Sequence, residues 1–285
     1  MALISESVDT RGITPPESLG SRIKKAVGPI GVIGVVILKF IAKIKFILPI
    51  LLKTGGSMVL MVGVYASIWG WKWALGFVLL LLLHECGHLI VAKWFGLAVS
   101  APMFIPFMGA FIALKEAPRN AWMEACVGIG GPILGSLAAA ACHALGLALN
   151  YPLLIALGWS AYFLNLFSLT PVGMLDGGRI VSALSPWLWL PGFAALGWLA
   201  WTHPNFIVWI LLFASLPRIV SLFRKRTEEE QRYYEVAPAQ RWLMALMYFG
   251  LIGALVLGMH VSHLQLLERV DAARQKFEQT FPQAE

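Results

Sequence analysis

The sequence predicts an all-α polytopic membrane protein with about six to seven transmembrane helices and one membrane-associated β-hairpin. Of its 285 residues, 59% are hydrophobic and only 13% are charged, whereas soluble domains are roughly 45–50% apolar and about 25% charged. Several apolar stretches of roughly 15–25 residues are long enough to cross about 30 Å of hydrocarbon as helices. The alternating segments of about ten residues that mark a membrane β-barrel are not recognised.

The first 54 residues are predicted to precede the membrane core in two parts. Residues 1–27 are polar, include Pro15 and Pro16, and lack the short apolar core of a signal peptide, so we expect a disordered cytosolic arm. Residues 28–54 are apolar but interrupted by lysines. That pattern favours an amphipathic helix lying on an anionic membrane surface over a spanning helix.

A membrane-embedded core is predicted over residues 55–223. It begins with two antiparallel spanning helices at 57–71 and 73–97. Residues 98–114 are rich in Phe, Ile and Val but broken by two prolines and a glycine, which is typical of two short strands around a turn. The hairpin therefore follows the second helix directly.

The later apolar segments complete the predicted helix bundle. The segment at 121–149 has small residues four apart, which permit close helix approach. Whether the two runs after Pro186 are separate spans stays open, and residues 224–285 are expected to form a cytosolic loop, the last span and a polar tail. The remaining apolar segments are 152–169, 187–201, 206–223 and 242–260.

The net charge of +7 is interpreted as membrane topology and not as nucleic-acid binding. If the N-terminus is cytosolic, most Lys and Arg residues between the spans fall on the cytosolic side, as the positive-inside rule requires. We expect a multi-pass protein of the cell (inner) membrane, with the lipid bilayer as a partner. The three cysteines, Cys86, Cys126 and Cys142, have no C-x-x-C spacing and indicate neither a disulfide framework nor a thiolate zinc site.

The motif His84-Glu85-Cys86-Gly87-His88 lies deep in the second apolar helix. Residues four apart share one helix face, so His84 and His88 can bind one zinc ion while Glu85 lies beside them to activate water. A polar cluster that only packs helices is the alternative. Ionisable groups inside a membrane segment are costly, however, which favours a functional site.

A catalytic zinc site needs a third protein ligand and an open position for water. The candidates at apolar segments are Glu124, His143, Asp176 and His260. Asp176 has a helix break nearby and two following glycines, but its position is equally compatible with an ordinary turn or helix cap. His143 is better explained as a satisfied or surface-reaching histidine, and Glu124 as a charge that suits a helix N-terminus.

Two motifs together resemble the site-2 protease family of intramembrane zinc metalloproteases, peptidase M50. These are HECGH at 84–88 and NLFSLTPVGMLDGG at 165–178, and the resemblance covers about residues 55–179. It implies an α-helical fold with one zinc ion per chain, bound by His84, His88 and Asp176. It also implies Glu85 as the catalytic base and Asn165 near the scissile peptide.

Other family features are matched only in part. Gly131 and Pro132 look like a family motif, but Gly135 stands where members often carry an asparagine. No fused PDZ or CBS domain is recognised, so the sequence resembles the minimal form. The segment at 98–114 resembles the family's membrane-inserted hairpin, and Phe107 and Gly109 are expected to contact substrate there.

The resemblance implies a zinc metalloendopeptidase that cuts in or near the transmembrane segment of another membrane protein. Two alternatives stay open. One is a membrane protein that binds zinc or another ion without catalysis. The other is a different membrane zinc protease with a glutamate as third ligand on a later helix, although no glutamate follows in a comparable motif.

Overall fold

The computed structural model describes residues 55–280, so the arm and surface helix predicted for 1–54 lie outside the described residues. Helices α1 (Gly56–Trp69) and α2 (Trp71–Trp94) are joined at Gly70, whose φ of 83° lies in the region that favours glycine. The two helices pack through aromatic rings: Tyr65 of α1 meets Phe77 of α2 at 5.5 Å between ring centres. The predicted helix pair is therefore present.

A two-stranded antiparallel sheet follows α2, as predicted. Strand β1 (Met103–Ile105) pairs with β2 (Gly109–Phe111), with Phe104 opposite Ala110. An isolated bridge between Val99 and Leu114 extends the hairpin toward its base. The hairpin rests on α1, where Ser57 Oγ accepts a hydrogen bond from the Phe104 N–H at 3.3 Å.

Helices α3 (Ala121–Ala148) and α4 (Pro152–Ser168) form the rest of the site's framework. The side chain of Asn120 caps α3 by accepting a hydrogen bond from the Met123 N–H at 2.9 Å. Helices α2 and α3 approach closely, because a Cβ on Gly87 would lie 2.2 Å from the carbonyl oxygen of Gly130.

The chain beyond α4 contains more helix than the sequence indicated. A helix, α5 (Asp176–Leu184), begins where the sequence indicated only a break. A 3₁₀ turn at Pro186–Leu188 leads into α6 (Trp189–Thr202) and α7 (Phe206–Leu222), which are separate helices. The short α8 (Glu228–Tyr233), not predicted from sequence, then precedes α9.

Helix α9 (Pro238–Thr280) is much longer than the predicted span at 242–260. Its 43 residues correspond to about 65 Å of helix, roughly twice the hydrocarbon thickness. The segment predicted as a polar tail therefore continues the same helix through its described residues.

Three helices within residues 55–280 are long and apolar enough to cross a membrane: α2, α3 and α9. Helices α1, α4 and α7 are apolar but shorter. The count of six to seven spans stays a prediction. Between the helices, a buried core that includes Tyr162, Trp189 and Met244 joins α4, α6 and α9.

Candidate metal centre

His84 and His88 lie one turn apart on α2, and a neighbouring helix holds the second ring nitrogen of each. His88 Nδ1 lies 2.7 Å from the carbonyl oxygen of Val127 on α3. A carbonyl can only accept, so Nδ1 carries the proton and the unprotonated Nε2 faces the site. His88 is buried, with 4% of its surface exposed.

His84 is oriented in the same way by Asn165 of α4. The distance between His84 Nδ1 and Asn165 Oδ1 is 2.8 Å, and Asn165 Nδ2 donates to the carbonyl of Ala161 at 2.7 Å. The amide oxygen therefore faces His84 and accepts its Nδ1 proton. Both imidazoles consequently present an Nε2 lone pair to the same space.

Asp176, the first residue of α5, completes a triangle with the two histidines. Its Oδ2 lies 3.2 Å from His84 Nε2, its Oδ1 lies 3.3 Å from His88 Nε2, and the two Nε2 atoms are 3.0 Å apart. Tetrahedral zinc with Zn–N bonds of about 2.0–2.1 Å separates its ligand atoms by about 3.3 Å. Three acceptors converging at such distances fit one zinc ion.

Glu85 lies beside this triangle and not within it. One of its carboxylate oxygens lies within 4.8 Å of one ring nitrogen of each histidine, so His84, Glu85 and His88 form an alternative ligand set. The Asp176 oxygens are much closer to both Nε2 atoms, which favours Asp176 as the third ligand. Glu85 is buried, with 3% exposure, and faces the cavity beside the histidines.

Glycines on α3 make room for these side chains. A Cβ on Gly131 would lie 2.2 Å from His88 Nε2, and one on Gly135 would lie 2.3 Å from Asn165 Oδ1. The Asn165 amide thus occupies the space into which a side chain at 135 would point. This contact explains why residue 135 is a glycine here, although members of the site-2 protease family often have an asparagine at that position.

A cavity of about 180 Å³ opens onto the site. Its lining includes Asn165 and Gly109, together with Phe111 and Ile112 from the hairpin. Phe107, also expected to contact substrate, lies outside this lining: its N–H donates to the hydroxyl of Tyr65 at 3.0 Å and the two rings are 5.6 Å apart. The structure therefore brings Gly109 and Asn165, but not Phe107, to the site.

The other candidate ligands have different surroundings. His143 is buried with its Nε2 2.6 Å from Gln265 Oε1, as expected for a satisfied histidine. Glu124 forms an ion pair with Arg218 at 2.9 Å. His260 is exposed on α9.

Comparison with known proteins adds two matches. Residues 72–153, which contain α2 and α3, match the family model described as peptidase family M50. A zinc metalloprotease of Methanocaldococcus jannaschii is 33% identical over 120 residues, which cover 39% of this chain. The matched region spans only 34% of that relative's length.

Proposed function

Both matches support the site-2 protease family for this chain, and from that premise we propose that it is an intramembrane zinc protease. It would hydrolyse a peptide bond in or near the transmembrane segment of another membrane protein. The observation that carries the proposal is the convergence of His84, His88 and Asp176 within a bundle of apolar helices. The two matches support a zinc metalloprotease, and the membrane-embedded substrate is the part that we propose.

In this proposal the zinc ligands are the Nε2 atoms of His84 and His88 and the carboxylate of Asp176. With only these three protein ligands, a bound zinc ion would also be able to bind a water molecule, as catalytic zinc sites do. When bound, zinc acts as a Lewis acid that polarises the scissile carbonyl and lowers the pKa of water. Glu85 accepts the proton of the attacking water and delivers it to the leaving amide nitrogen.

The position of Glu85 favours catalysis over simple ion binding. A protein that only holds zinc needs the three ligands but no further carboxylate facing the same cavity. Glu85 is such a carboxylate, buried beside the ligands without their short contacts. A protease with a glutamate ligand on a later helix is less well supported, because no glutamate after Asp176 lines the cavity within residues 55–280.

The hairpin supports a mode of substrate binding. Residues 109–112 line the cavity, while the Ala113 N–H donates to Ser100 Oγ at 2.9 Å on the inner side of the hairpin. Strand β2 ends at Phe111, and if the alternation of N–H groups along the strand continues through Ile112, the Ile112 N–H would face the outer edge. An unwound substrate segment would add there as a strand and recover hydrogen bonds that the membrane interior cannot supply. Gly109 and Asn165 would contact it.

The test is metal content and cleavage in purified protein. The double variant His84→Ala, His88→Ala should lose most of its zinc, because the ion would retain one ligand. Glu85→Gln should retain zinc, since Glu85 is not a ligand, but cleave a transmembrane substrate at least about 10²-fold more slowly.

The exposed His260→Ala serves as the control and should keep both properties. Stoichiometric zinc in the double variant would contradict the site assignment. Cleavage at the unmodified rate by Glu85→Gln would contradict the assigned base.

A further inference from the structure

Glu124, in the first turn of α3, is the centre of a polar cluster separate from the metal ligands. Its Oε1 accepts a hydrogen bond from Arg218 Nη2 of α7 at 2.9 Å. Its Oε2 accepts from the Tyr233 hydroxyl of α8 at 2.9 Å, and Ser182 Oγ of α5 lies 3.2 Å from it while donating its proton to the Arg179 carbonyl at 2.6 Å. We call these four residues the Glu124 cluster.

The Glu124 cluster joins four helices through one carboxylate that is 13% exposed. Burial and the neighbouring Glu124 carboxylate raise the pKa of Tyr233, so its hydroxyl stays a donor at neutral pH. A glutamate in contact with solvent would interact just as favourably with the positive end of the helix dipole. The geometry instead shows a carboxylate whose two oxygens each accept a hydrogen bond from a side chain of another helix.

Arg218 connects the cluster to the backbone next to Asp176. Its Nη1 donates to the carbonyl of Gly178 at 3.3 Å, and Trp189 Nε1 donates to the same oxygen at 2.8 Å. The guanidinium also lies over the Trp189 ring, 5.1 Å from its centre. One cation therefore binds both Glu124 and the residue two positions after Asp176.

Helix α5 depends on such contacts for its position. It has nine residues, begins at Asp176 itself, and follows an irregular segment at 169–175. Helices this short are unstable alone, so tertiary contacts determine where they lie. A Cβ on Gly177 would lie 2.0 Å from the Leu169 carbonyl oxygen, so α5 also sits tightly against the preceding loop.

We propose that Glu124 and Arg218 are positioning residues for the metal centre. Their ion pair holds α5 against α3 and α7, so that Asp176 faces His84 and His88. The proposal rests on the zinc function above. It predicts that breaking the pair changes metal affinity and geometry, although neither residue touches the ligand atoms.

The experiment measures zinc affinity by chelator competition and ligand geometry by the visible absorption of the Co²⁺-substituted protein. Glu124→Gln and Arg218→Met should each weaken zinc binding about 10–100-fold, the usual effect of losing a group that orients a ligand. Both should also change the Co²⁺ spectrum. Arg218→Lys keeps the charge but not the two-pronged geometry, and should recover part of the affinity.

Arg224→Met is the matched control. It breaks a more exposed ion pair with Glu230, and within residues 55–280 no hydrogen bond or ion pair of Arg224 to α5 is found. This variant should bind zinc like the unmodified protein. A loss of affinity in Arg224→Met equal to that in Arg218→Met would overturn the proposal, because the effect would not be specific to the Glu124 cluster.

The outcomes separate the two proposals. If the unmodified protein binds zinc and a folded Glu124→Gln variant keeps its affinity and Co²⁺ spectrum, the positioning role is wrong and the proposed function stands. If Glu124→Gln does not fold, Arg218→Lys decides in the same way: affinity between those of Arg218→Met and the unmodified protein supports the role. If the unmodified protein binds no zinc, both proposals fail.

Discussion

Asn165 is the residue that determines how His84 faces the metal centre. Its amide oxygen accepts the Nδ1 proton of His84, while its amide nitrogen is bound to the Ala161 carbonyl. His88 receives the same support from a backbone oxygen, which no side-chain substitution on α3 removes directly. The two histidines therefore differ in how a mutation can disturb them.

Replacing Asn165 with Ala should weaken zinc binding about 10–100-fold, because His84 loses the acceptor that fixes its tautomer and ring orientation. Asn165→Asp keeps an acceptor oxygen for His84 and should therefore weaken zinc binding less than Asn165→Ala does. Chelator competition on the two purified variants measures the difference. Equal affinities for Asn165→Ala and the unmodified protein would mean that His84 needs no such support.

At the scale of elements, the hairpin and α5 both lie in segments whose sequence does not show the hydrophobic pattern of a helix. The hairpin follows from its prolines, its glycine and its β-branched and aromatic residues, and the structure confirms it. Helix α5 begins with Asp-Gly-Gly, and glycine is a poor helix former. Its helical form depends on packing against the 169–175 loop and on the Glu124 cluster, which local sequence does not encode.

The edge of the hairpin provides a test of strand addition. Ile112→Pro removes the N–H that we propose as a donor to the substrate strand, so it should slow substrate cleavage at least several-fold while zinc content stays the same. Ile112→Val retains the N–H and should cleave normally. The relevant measurement is the cleavage rate at equal zinc occupancy.

Ala113→Pro would instead break the bond to Ser100 inside the hairpin and lower thermal stability. Comparison of the two proline variants thus separates substrate contact from hairpin stability. Unchanged cleavage by a stable Ile112→Pro protein would restrict the hairpin to covering the cavity.

At the scale of the whole molecule, the Glu124 cluster groups the start of α3 with the ends of α7 and α8. Lys and Arg residues are frequent near these helix ends, and the positive-inside rule predicts that this side of the membrane is cytosolic. The proposed orientation therefore places Lys225, just after α7, inside the cell and His203, just before it, outside.

Cysteine labelling tests this orientation. In a background where Cys86, Cys126 and Cys142 are replaced by Ala, a membrane-impermeant maleimide should label His203→Cys in intact cells. It should label Lys225→Cys only after permeabilisation, since both positions are exposed in the structure. The reverse pattern would invert the topology, and labelling of both positions from one side would show that α7 does not span the membrane.

The sequence by itself predicted a membrane protein, located most of its apolar helices, and placed His84 and His88 on one helix face. Hydropathy and helix period are local properties, and the spacing of four residues guarantees the pairing of the histidines. The family resemblance selected Asp176 among the candidate third ligands and supported Glu85 as the catalytic base. Those predictions needed no knowledge of how the helices pack.

Only the tertiary structure decided what lies around that pair. Asp176 is 88 residues from His88 in sequence, and nothing in the spacing distinguishes a ligand from a turn residue. Its contact with both histidines depends on α5, and α5 on Glu124, Arg218 and close glycine contacts. Likewise, Asn165 reaches His84 only because Gly135 leaves space. These are contacts between distant segments, whose geometry is set by helix packing and not by any local pattern.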